Sequence, residues 1–75
     1  MKRETIDQEL ERYRGHALHF AGLLAAGLRF PELVGDVRAY MEDLICLAEE
    51  APDDLRAEIE YLIDRFDALQ KRMLN

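Results

Sequence analysis

The chain has 75 residues, 35% of them charged, and a formal net charge of −6; this length allows one domain, and a monomer so short buries only about 60% of its unfolded surface, so it is marginal alone. The single cysteine, Cys46, excludes an intramolecular disulfide, and the opening MKRETIDQELERYRG is too charged for a secretory leader, so a reducing, cytoplasmic setting is expected. Residues 42–67 carry ten acids against Arg56 and Arg65, which argues against direct nucleic-acid binding through that half of the chain and against an anionic membrane surface.

The first element opens on Thr5-Ile6-Asp7-Gln8, the T-x-x-Q form of a capping box, in which the Thr5 hydroxyl and the Gln8 side chain would each bond the other's amide. Ile6, Leu10, Tyr13, Ala17, Phe20 and Leu24 then recur at alternating steps of four and three, the seam of an amphipathic helix. Pro31 disfavours helical geometry in the residue before it, so the helix is expected over about 5–29. From Ala17 to Leu28 it is apolar on every side, yet those twelve residues fall short of the roughly 20 that span a bilayer. A helix apolar all round is expected to be buried all round. Gly15, Gly22 and Gly27 mark places where a neighbour can approach closely. His16 and His19 lie three residues apart on one face. A zinc or iron site needs further ligands, and the Glu-x-x-His pair of carboxylate-bridged bundles is missing because position 13 is Tyr.

The second element is expected over about 31–50, with Pro31 at its first position and Glu32 in its first turn, both favourable there. Its seam is Leu33, Val37, Tyr40, Leu44 and Leu47, with Gly35 a mild weakness. Residues 44–48, Leu-Ile-Cys-Leu-Ala, are apolar for more than a full turn. Cys46 between Ile45 and Leu47 therefore reads as a small buried hydrophobe rather than a nucleophile.

Ala51-Pro52-Asp53-Asp54 breaks the chain again, with Ala51 or Asp53 as the N-cap of a third helix over about 52–74. Leu55, Ile59, Leu62, Phe66, Leu69 and Met73 form the most regular seam of the sequence. The opposite face carries an acidic stripe, Asp53, Glu60, Asp64 and Asp67, with Lys71 at its end. Tyr61 stands beside it as an ordinary exposed tyrosine, with a contact hot spot as the sharper alternative.

Short connections make sequential helices antiparallel. The expected fold is all-α: an up-down-up three-helix bundle, or a helical hairpin with long antiparallel helices, completed by dimerisation. Two neighbours cover only part of an all-round apolar helix, so Phe20, Leu23, Leu24, Leu28, Met41 and Ile45 are the expected dimer or partner interface. No serine and no glycine-rich phosphate loop is present, and no catalytic, cofactor-binding or metal-binding residue is assigned. The function expected is that of a small non-enzymatic regulator or adaptor, a homodimer working through protein–protein contact. The alternative is an acidic inhibitor of phage or mobile-element type, laying Asp53, Glu60, Tyr61, Asp64 and Asp67 into a basic, nucleic-acid-binding groove. A more distant one is a metal-binding bundle that joins His16 and His19 to ligands from a second chain.

Overall fold

Gly27, rather than Pro31, ends the first helix. In a computed structural model, which describes residues 2–74, helix α1 runs Arg3–Ala25. Gly27 follows with φ +80°, a left-handed conformation that costs glycine nothing but strains any residue with a Cβ. The Leu28 amide donates to the Leu23 carbonyl at 2.9 Å, and the Gly27 amide to Leu24 at 3.0 Å. This crossed pair closes a Schellman motif and satisfies carbonyls the helix end would leave open. The helix therefore stops short of the 29 that Pro31 alone implies.

At its other end α1 begins two residues before the expected capping box. The amides of Thr5 and Ile6 both donate to the Lys2 carbonyl at 3.1 Å, and Lys2 holds the extended N-cap backbone without a side-chain cap. Thr5 and Gln8 thus lie inside the helix, where the capping box has no role. The added turn carries Arg3, whose guanidinium donates to Asp54, so a tertiary ion pair holds what local capping leaves out.

Pro31 does start the next element, but as a single 3₁₀ turn, Pro31–Leu33, from which α2 continues as Val34–Glu50. Helix α3 runs Asp53–Leu74. Neither Ala51 nor Asp53 serves as its N-cap: Ala51 is a buried, extended joint, Asp53 is already helical, and the Arg56 amide reaches back to the Pro52 carbonyl at 2.9 Å. Arg56 has a second task. Its guanidinium donates to the carbonyls of Ala48 at 3.0 Å and Ala51 at 3.1 Å, so the first turn of α3 covers the open carbonyl end of α2 and places a cation at its negative pole.

The chain is all-helical, with no strand among the described residues. The seams of α1 and α3 are buried at every position, and Val34, Val37, Leu44 and Leu47 complete the core from α2. Helices α2 and α3 approach most closely. Along them Arg38 meets Gln70, Tyr40 meets Phe66, and Arg56 meets Ala48, so numbers rise on α2 as they fall on α3. On α1 and α3 they rise together, Arg3 with Asp54 and Arg14 with Glu58. The rod measures 38 × 17 × 16 Å.

Helices α1 and α2 meet through rings rather than close backbones. Tyr40 lies at the centre of this seam, its ring stacked on His16 at 4.6 Å with an interplanar angle of 7°. Tyr13 stands edge-on to it at 5.9 Å, and Phe20 and Phe66 complete the surround at 6.2 and 5.9 Å. Bulky rings keep two helices apart while filling the space between them, in the geometries that aromatic pairs favour.

Candidate interaction surfaces

The apolar residues expected at an interface divide between the core and the outside. Phe20 and Leu24 keep only 5% and 9% of their surface exposed. They are taken up by the chain's own core and present nothing to a second molecule. Leu23 and Met41 are half-buried at the core's edge. Leu28 and Ile45, at 47% and 50% exposure, remain outside, the first beyond the end of α1 and the second on the outer face of α2.

Cys46 is exposed, against the expectation of a buried thiol. The aromatic seam explains this: with α1 and α2 held apart, the apolar turn 44–48 is not wrapped, and only Leu44 and Leu47 reach full burial. A hollow of about 280 Å³ remains between the two helices, bordered by Cys46 and by Glu9, Asp43 and Glu50. Tyr13 also borders it. Its hydroxyl accepts from Arg12 and donates to Asp43, both at 3.3 Å. Burial pushes the Tyr13 phenol above its ordinary range, while the Arg12 hydrogen bond pulls the other way.

The two large apolar side chains with the highest exposure lie on the opposite side, along the groove between α1 and α3. Leu18 is 68% exposed and Tyr61 61%, and both line a hollow of about 300 Å³. A second hollow of about 290 Å³ continues it through Tyr61 and Arg65 toward Ala68 and Arg72. Leu18 is the residue that the seam pattern overlooks. The pattern still held a signal, for three of its four neighbours on the same helix face are Gly15, Ala21 and Gly22, too small to shield it, and the fourth, Arg14, is drawn to Glu58.

Three arginines border this groove. Arg14 donates to Glu58 at 2.7 Å, whereas Arg65 and Arg72 have no ion-pair partner among the described residues. Asp64 lies beside them. An acidic chain has thus set two uncompensated guanidinium groups and two exposed large apolar groups on one strip.

The acidic stripe is less free than its spacing implies. Asp53 pairs with Arg56 at 3.3 Å. Asp67 accepts from Lys71 and from Gln70, each at 2.8 Å, and the Lys71 ammonium above all holds its carboxyl below the usual range. Glu60 and Asp64 remain exposed, with Asp64 turned to the α1–α3 groove.

The two histidines are separated by their surroundings. His16 is half-buried with one ring face on Tyr40, and His19 is exposed beside Phe20 at 5.8 Å. Among the described residues no three of His, Cys, Asp and Glu gather as a metal ion requires, and no helix is long and apolar enough to cross a membrane. Comparison with protein-family models, with curated proteins and with solved structures finds no match for this chain.

Proposed function

We propose that this chain is a small non-enzymatic regulatory or adaptor protein, an up-down-up three-helix bundle that is completed as a homodimer and works in the cytoplasm through protein–protein contact. One observation carries the reading: Leu18 and Tyr61, each more than half exposed, share a single groove on a chain with little core to spare. Covering either removes apolar surface from water, and full burial of such a side chain is worth about 1.5–3 kcal/mol. A groove of this kind is the place where a small bundle gains the stability its own core lacks.

The acidic-inhibitor reading has weaker support. Two of its four carboxylates, Asp53 and Asp67, already bind cations of their own helix. The test of the preferred reading is sedimentation velocity from low to high micromolar concentration, with the melting temperature followed over the same range. A homodimer gives a mass that doubles and a melting point that climbs with concentration. A monomer throughout, melting at one temperature, overturns it.

A further inference from the structure

The self-association reading leaves open which face meets the second copy, and the inference that follows rests on that reading. We propose that two copies join through their α1–α3 grooves about a two-fold axis that passes between Asp64 and Arg65, with each α3 antiparallel to its counterpart.

The groove-facing side of α3 is complementary to itself in reverse. It reads Tyr61, Asp64, Arg65, Ala68 and Arg72, with Ala57 one turn before Tyr61 on the same helix face. With the axis between positions 64 and 65, Asp64 of each copy meets Arg65 of the other, giving two reciprocal ion pairs. Tyr61 comes opposite the second copy's Ala68, a small residue on the floor of the neighbouring hollow. Arg72 comes beside the second copy's Ala57 and Glu58. Arg65, which lacks a partner within one chain, thus acquires a carboxylate across the axis, while Glu58 near Arg72 already accepts from Arg14 of its own chain.

Helix α1 fits the same operation. Ala21 lies level with Asp64 and Arg65, so near the axis Leu18 comes against Gly22 and Ala25 of the second copy. Around Gly22 nothing stands within 4 Å of where a Cβ would be, which leaves room for that leucine. The long face of a 38 × 17 × 16 Å rod presents on the order of 600 Å² in flat projection, which from two copies reaches the lower end of the roughly 1,200–2,000 Å² that stable interfaces bury in total. A contact of the groove with the exposed carboxylates of α2, Asp36, Glu42 and Glu49, by contrast, is heterologous and leaves an open end at each addition. Closed two-fold pairing is the form soluble homo-oligomers favour.

The test is a charge swap read by sedimentation equilibrium. All the substituted side chains are exposed, and circular dichroism verifies that each variant keeps its helices. Asp64→Arg and Arg65→Asp singly place like charges across the axis twice over, and each weakens dimerisation by about tenfold or more. The double variant D64R/R65D rebuilds both pairs in reverse and returns the dissociation constant to within about threefold of wild type. Leu18→Glu gives a monomer, and Ile45→Glu on the far face changes nothing. A wild-type dimer indifferent to Leu18→Glu and to both single reversals overturns the assignment of this face while self-association stands. Single reversals that weaken the dimer without rescue by the swap overturn the register. A wild-type monomer overturns the self-association reading itself.

Discussion

Removing the ring of Tyr40 strips the seam between α1 and α2 of its centre. A tyrosine buries up to about 150–250 Å²; with most of Tyr40 covered, roughly 130 Å² of that is removed from water here, worth about 3 kcal/mol. Its contacts with His16, Tyr13, Phe20 and Phe66 add about 0.5–1.5 kcal/mol for the best pairs beyond area burial. Tyr40→Ala is therefore expected to cost about 3–5 kcal/mol, near what large-to-small aromatic substitutions show. A chain of this length has only about 4–11 kcal/mol in total at 0.05–0.15 kcal/mol per residue, so the variant is expected to lose at least about a quarter of its stability. Tyr40→Phe keeps every ring contact and is expected within about 0.5 kcal/mol of wild type. Urea titration followed by circular dichroism gives both numbers, at one fixed protein concentration so that association does not contribute unequally. If Tyr40→Ala costs less than about 1 kcal/mol, or if Tyr40→Phe costs as much as Tyr40→Ala, the rings do not hold α1 to α2 and the account of that seam is wrong.

The same glycine-to-alanine change is expected to have opposite signs at two places. Gly27→Ala forces a Cβ into the left-handed end of α1 and costs about 1–2 kcal/mol, whereas Gly35→Ala, in open space within α2, gains up to about 1 kcal/mol; equal effects in the same urea titration would contradict the helix end described. Acid sensitivity tests the Arg3–Asp54 pair. The Arg3 hydrogen bond holds the Asp54 carboxyl below its ordinary value of 3.8, so the stability it brings is complete above that value and is lost as pH falls through the lower, folded one. Asp54→Asn is then expected to flatten the acid limb below about pH 4, by a small amount that salt reduces; superimposable limbs for the two proteins mean that the pair does not form in solution.

The parts of this fold that were legible in the sequence are those set by a single helix and its own period. The seam from Leu55 to Met73 and the one from Ile6 to Leu24 are each buried at every position, because a spacing of four and three keeps side chains on one side whatever lies opposite. Helix ends were less legible, since each is a competition between local signals. Pro31 and Gly27 both terminate helices, and the glycine wins because its crossed amide bonds satisfy carbonyls before the proline is reached. Thr5 loses its capping role to a turn held by Arg3 and Asp54, 51 positions apart. Arg56 covering the end of α2, and Cys46 left in the open, depend on how helices lie against one another, which no single-helix pattern contains.

The groove of Leu18 and Tyr61 has the same origin, and it refines what an apolar helix requires. Helix α1 was expected to need cover on every side because no charge interrupts it from Ala17 to Leu28. Much of its exposed side, however, is Gly15, Gly22, Ala25 and Ala26, residues that are apolar through smallness. A glycine or alanine left in water forgoes little, whereas a leucine forgoes up to about 1.5–3 kcal/mol of burial. The large apolar surface that α1 leaves in water is therefore not spread around the helix. It is concentrated at Leu18, across the groove from Tyr61. The small residues around them act in the opposite sense, lowering the surface so that another helix can come close enough to cover both.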